Sequence, residues 1–230
     1  MPEENTFVSI PAGRFLMGGR PDDKFVSAVE LPQREVKVAS FYLARVPVTE
    51  GDWAFFCGKP VPLDSPSSRL PVVNVSWCDA RDYTAWLSSR LRMSCRLPTE
   101  AEWEYACRAG SEAIFTSGGD ISPDAANYLY DESGLRIGPG HRMPVASYPA
   151  NAFGLFDMAG NVCEWTADTW VPLCENTLEG LSPESEKRAI RGGGWDHLPR
   201  LLRSSWRDWA PQQARYDNLG FRVAADLTPQ

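Results

Sequence analysis

A chain of 230 residues, 43% apolar and 23% charged, has enough of both classes to bury a core and stay globular. Its formal charge of −7 argues against a nucleic-acid partner, which needs clustered Lys and Arg. No stretch approaches the roughly 18 apolar residues of a membrane span, and the polar start Met1–Thr6 is no secretory leader, so the sequence reads as cytoplasmic with no membrane partner.

In chain order, Phe7–Ile10 and Arg14–Met17 flank Pro11-Ala12-Gly13, a pattern that predicts a β-hairpin. Glu35–Val38 alternates polar and apolar residues, as a half-buried strand does. Three helix starts follow at Thr49-x-x-Asp52, Ser76-x-x-Asp79 and Thr99-x-x-Glu102. In each, a hydroxyl accepts a backbone N–H of the first turn while the carboxylate reaches back to the cap residue. Trp53, Phe56 and Cys57 share a face behind the first cap, and Ala80, Tyr83, Leu87 and Leu91 behind the second. Trp103, Ala106 and Cys107 do so behind the third, with Gly110 as the stop. From Ser111 to Asn151 the chain is rich in Gly, Pro, Ser, Asp and Asn and has little periodicity. Short strands are predicted at Arg188–Arg191 and Leu219–Val223. No repeat and no linker divides the chain, so residues 1–230 read as one α+β domain with few helices and long ordered loops. Its six cysteines form no C-x-x-C pair and are expected as buried free thiols.

Four stretches carry a resemblance to a known family: FVSIPAGRFLMG at Phe7–Gly18, VPVTEGD at Val46–Asp52, and Val73–Gly110 ending RLPTEAEWEYACRAG. The fourth begins AFGLFDMAGNVCEWTAD at Ala152 and continues through RGGGW at Arg191–Trp195 to NLGFRVA at Asn218–Ala224. In this order they resemble the formylglycine-generating, or sulfatase-modifying-factor, family. The resemblance implies a C-type-lectin-like fold: a small twisted antiparallel sheet, few helices, much irregular loop, and terminal strands that pair.

The family's oxidases hold copper on two thiolates after the RGG motif, because soft sulfur suits Cu(I). Here Arg191–Gln230 contains no cysteine, so copper is not expected and an enzyme of the family mechanism is disfavoured. His197 stands near where the first of those cysteines would lie, and without a second soft ligand it makes no redox site. The loop Asp157–Glu164 resembles a family calcium site, with the carboxylates of Asp157 and Glu164 and the carbonyls of Gly160 and Val162 as ligands. Asn161 reads as a tie for the loop backbone. A second calcium site would start at Asn127 and the Tyr128 carbonyl, with Asp131 and Glu132 as further donors.

Noncatalytic members of the family, among them variable proteins of diversity-generating retroelements, bind ligands through the segment between RGG and GFRV. The resemblance therefore implies a protein or small-molecule ligand on segment 196–217. The candidate contacts are Trp195, Asp196, His197, Arg200, Arg203, Trp206, Arg207, Trp209 and Tyr216, rich in the residue types that dominate binding hot spots. The alternative is a metal-dependent oxidoreductase or tailoring enzyme of altered mechanism.

Overall fold

The structure, a computed structural model, describes residues 7–59, 62, 65–173 and 186–226. Its strands are β1 (Phe7–Ile10), β2 (Gly13–Met17), β3 (Arg34–Val38), β4 (Phe41–Ala44), β5 (Cys95–Arg96), β6 (Cys163–Thr169), β7 (Lys187–Arg191), β8 (Arg207–Pro211), β9 (Leu219–Phe221) and β10 (Ala224–Asp226). The helices are α1 (Glu50–Phe56), α2 (Trp77–Leu91) and α3 (Glu100–Arg108). One sheet has the order β1-β4-β10-β5, a second is the β2-β3 pair, and a third runs β8-β7-β6-β9 with β6 and β9 parallel. The expected α+β class with few helices and long loops is what the chain forms.

All three predicted caps are present. Asp52, Asp79 and Glu102 donate their backbone N–H to Thr49, Ser76 and Thr99 at 3.1, 3.2 and 3.2 Å, and each carboxylate accepts the cap residue's N–H in return. Helix α2 buries Ala80, Tyr83 and Leu87, while Leu91 stays half-buried. Helix α3 buries Trp103, Ala106 and Cys107, and it leaves the helical path one residue before Gly110, at a left-handed Ala109. Helix α1 buries no residue fully and Cys57 is exposed, so its face is shallower than expected. Trp53 and Phe56 still pack on Tyr83, with ring centroids 5.8 and 5.3 Å apart.

Three expectations about strands are corrected. β1 and β2 do not form a hairpin: Phe7–Ile10 pairs with β4, and Gly13–Met17 pairs with β3. A two-residue hairpin turn needs positive φ, which Pro11 cannot adopt, so the chain steps from one sheet to the next. The terminal strands share a sheet without touching, because β4 lies between β1 and β10. The predicted strand Leu219–Val223 ends early: β9 stops at Phe221 beside β6, and a separate β10 begins at Ala224 beside β4.

Charge is buried on purpose-built partners. Arg191, Arg203, Arg207 and Arg222 are all buried, and each meets a buried carboxylate. Arg191 pairs with Glu104, Arg203 with Asp23 and Glu30, Arg207 with Glu100, and Arg222 with Glu164. These pairs stitch the C-terminal described residues to α3, to β6 and to the loop before β3.

Asp168, on β6, accepts the Glu100 N–H at 2.6 Å. Burial, and then the charge of Glu100, push its carboxyl up to about 6. A carboxyl raised in the folded state adds stability below its unfolded value near 3.8, and that stability is lost as pH rises through about 6. Asp168→Asn, which keeps an acceptor for the Glu100 N–H, should remove this dependence. Subtracting urea-derived stabilities of the variant from wild type, pH by pH from 3.5 to 7, should give a falling curve; a flat one refutes the assignment.

Candidate functional site

The glycine run after β7 sets the path of the C-terminal segment. Gly192 and Gly193 have φ of +92° and +72°, and a Cβ on Gly193 would stand 2.7 Å from the Leu201 carbonyl. Only glycine lets the chain fold back this closely. From there the segment crosses a short turn at Pro199–Leu201, passes through β8, and returns to β9.

The structure separates the nine predicted contact residues into two groups. Arg203 and Arg207 are buried in the ion pairs described above and are not available to a ligand; this corrects their assignment. A charged side chain three or four residues from an exposed one carries no mark in the sequence of which carboxylate it will meet. Arg200 is exposed but turned to Glu132, 3.3 Å away. Trp195 and Asp196 lie at the surface, tied to the return strand by a Trp195 Nε1–H donated to the Asp217 carbonyl and by Asn218 Nδ2–H donated to Asp196.

The second group converges. His197, Trp209 and Tyr216 line a cleft of about 330 Å³, with Asp208 and Asp217 on its wall and Cys163 on its floor; Trp206, 6% exposed and packed in the core, only backs it, which corrects its assignment as a surface contact. His197 meets the edge of Trp206 at a centroid distance of 5.6 Å. Trp209 carries the Lys187 ammonium 4.0 Å over its ring, and Tyr216 is 47% exposed. Strand alternation in β8 accounts for part of this, exposing Asp208 between the buried Arg207 and the half-buried Trp209.

Cys163, which the sequence offered only as a packed thiol, is the residue that sequence reasoning missed. Its Sγ lies 4.0 Å from His197 Nδ1, although 34 residues separate them. Burial, and then the charges of Asp196 and Asp208, raise its thiol well above the usual range, and burial lowers His197. The pair is therefore a neutral thiol beside a neutral imidazole, and not an activated nucleophile. Of the other cysteines, Cys95 and Cys107 are buried as expected, Cys57 and Cys78 reach the surface, and Cys174 lies outside the described residues.

Behind the cleft, the loop Asp157–Glu164 is held by left-handed turns at Asp157 (φ +55°), Gly160 (+76°) and Asn161 (+67°). Asn161 ties it down, accepting the Met143 N–H at 3.0 Å and donating to the Met143 carbonyl at 3.1 Å. Glu164 is wholly buried, receiving two bonds from Arg222 at 2.6 and 2.7 Å and one from Trp103 Nε1–H at 2.8 Å. Asp157 is 7% exposed; its Oδ2 accepts the Ala146 N–H at 2.8 Å, and its Oδ1 has no partner. Burial, with Glu164's charge added, raises Asp157 above the usual carboxylate range in spite of Arg222. Arg222 pairs with the Glu164 carboxylate and donates only to the backbone carbonyl of Asp157, and an orphaned acid oxygen remains on Asp157. Calcium held there would draw on the partnerless Asp157 Oδ1 and would have to share Glu164 with Arg222 and Trp103. Among the described residues no three His, Cys, Asp or Glu side chains cluster as a metal site, so the two carboxylates would supply all the charge there. At the second expected calcium site, Asn127 donates to Asn161 and to the His141 carbonyl. Asp131 is folded back on Ser133, and Glu132 is taken by Arg200. None of the helices among the described residues is long and apolar enough to cross a membrane.

Comparison with known proteins matches residues 1–227 to the family described as "Sulfatase-modifying factor enzyme 1-like domain". The formylglycine-generating enzyme of Mus musculus is 36% identical over 176 residues, covering 70% of this chain and 46% of its own length. The chain thus spans about half of that enzyme. Among solved structures, PvdO from Pseudomonas aeruginosa superposes with a TM-score of 0.82 at 33% identity, covering 96% of this chain and 94% of PvdO. Treponema denticola variable protein 1 superposes with a TM-score of 0.79 at 21% identity, covering 96% and 95% of the two chains, and shares the fold.

Proposed function

The chain belongs to the sulfatase-modifying factor family, and from that premise we propose that it is a noncatalytic ligand-binding module whose ligand enters the cleft of segment 196–217. The convergence of Trp209, Tyr216 and His197 on one cleft carries this reading. Its frame is fixed by buried ion pairs, and function commonly sits on loops held by such a frame. Aromatic walls beside Asp208 and Asp217 favour a ligand that joins a cation to an apolar body, since ring faces and carboxylates both attract positive charge. The absence of cysteine from Arg191–Gln230 removes the thiolate pair of the family's oxidases, so binding need not lead to that chemistry. Treponema denticola variable protein 1 shares this fold, which keeps retroelement diversification of the segment within the reading.

Calcium belongs to the same proposal as a structural ion. Asp157 and Glu164 would hold it with the Gly160 and Val162 carbonyls, and when bound it would supply positive charge that lets Asp157 ionise in the interior. The loop carries β6, and β6 carries Cys163 at the cleft floor.

Tryptophan fluorescence titrated with aromatic amines and arginine-containing peptides tests the cleft. Wild type should saturate with at least one of them. Trp209→Ala or Tyr216→Ala should weaken it by more than about 1 kcal/mol, roughly fivefold, with little change in melting. If both variants bind as wild type does, the ligand lies elsewhere.

A further inference from the structure

We propose that the cavity between the loops 22–25, 114–121 and 128–132 is a second binding site, for a small organic ammonium ion with an apolar body. The cavity measures about 460 Å³, within the roughly 300–1,000 Å³ of small-molecule sites. Phe25, Ile114, Ile121 and Tyr128 give it apolar walls that can take such a body. It shares no lining residue with the cleft of His197, Trp209 and Tyr216.

Charge decides the occupant. Five carboxylates line the cavity against one ammonium, that of Lys24. Arg20 answers Asp22, Arg203 answers Asp23 and Arg200 answers Glu132. Among the described residues no cation is paired with Asp120 or Asp131. Asp131 keeps its charge, because the Ser133 hydroxyl and the Leu135 N–H hold it below the usual carboxylate range. An entering ammonium therefore meets carboxylates that no internal cation has claimed, and an anion would meet like charge. Among the described residues no three acids cluster as a metal site, so the arrangement suits a cation with a body more than a bare ion.

The chain already satisfies this chemistry from within. Phe25 has the Lys24 ammonium 4.7 Å and the Arg200 guanidinium 6.0 Å from its ring centroid, and a ring attracts cations within about 6 Å. Arg200 reaches this position from the turn Pro199–Leu201, held by Glu132 at 3.3 Å. Both partners reach solvent, and an exposed pair of that kind holds weakly. A ligand ammonium can take the place of Arg200 beside Phe25 and Glu132, so Arg200 acts as an internal competitor.

Calorimetric titration of the full chain with phenethylammonium, beside uncharged phenethyl alcohol, tests this. The titration is repeated in the Trp209→Ala, Tyr216→Ala double variant, which keeps this site readable whether or not the other cleft binds. One ammonium ion per chain should bind in that variant, at least about tenfold more tightly than the alcohol. Placed in the same background, Asp120→Asn, a change at an exposed side chain, and Phe25→Leu should each weaken binding at least about threefold. Arg200→Gln should tighten it by at least about threefold, a gain that a purely structural role for Arg200 would not produce. A melting curve for each variant shows whether it is folded. No saturation in the double variant, equal binding of the alcohol, unchanged binding in folded Asp120→Asn and Phe25→Leu, or no gain in Arg200→Gln would each overturn the proposal.

Discussion

Arg203→Ala is expected to lower the unfolding free energy by about 3–5 kcal/mol, the usual cost of stranding a buried charge. The guanidinium donates to Glu30 at 2.7 and 2.8 Å and to Asp23 at 2.9 Å, with both carboxylates buried. Burial alone would raise Glu30; Arg203 overrides it and holds that carboxyl below its usual range. Without Arg203, two acids face each other in the interior. At about 2–4 °C per kcal/mol for a chain of this size, the melting temperature should fall by roughly 6–20 °C. Arg200→Ala is the natural control. Its partner Glu132 and the guanidinium both reach solvent, and an exposed pair is worth about 0–1 kcal/mol. Replacing Arg203 by Met together with Glu30 by Gln should recover part of the loss, because the stranded charge goes with its partner. A loss below about 1 kcal/mol for Arg203→Ala would show that water or a neighbouring cation reaches Glu30.

Calcium should stabilise the wild-type chain, and the gain should vanish in Asp157→Ala. An ion that binds only the folded state adds about 2.7 kcal/mol at one hundred times its dissociation constant. The sign of the pH dependence follows from Asp157. Its carboxyl is raised in the folded, metal-free chain, so its contribution is present below the unfolded value and is lost as pH rises through the folded one. Calcium takes the ionised form, so its stabilising effect should grow with pH across that same window. Thermal melts in calcium and in chelator, at pH 4.5 and 7, measure both effects. Identical melts in the two buffers, from protein shown by elemental analysis to carry no metal, would remove calcium from this loop.

The local elements were legible in the sequence because their causes are local. Thr49, Ser76 and Thr99 announce helices because a hydroxyl and a carboxylate three residues apart close a ring of hydrogen bonds within one turn. Asn161 could be read as a loop tie, and the order of the motifs gave the family. Strand partnership was not legible: the apolar run Phe7–Ile10 marks a strand and says nothing about whether β2 or β4 supplies the hydrogen bonds. The same holds for charge. Arg200, Arg203 and Arg207 differ in fate only because Glu30 and Glu100 arrive from more than a hundred residues away to bury two of them. The cleft is the strongest instance. In the sequence His197 is a loop histidine, and Cys163 is a small buried thiol. The parallel pairing of β6 with β9, and the glycine turn after β7, set one 4.0 Å from the other. Distances of that kind are fixed by long-range packing, so the sequence determined which chemistry the chain carries, and the tertiary structure decided which groups meet to perform it.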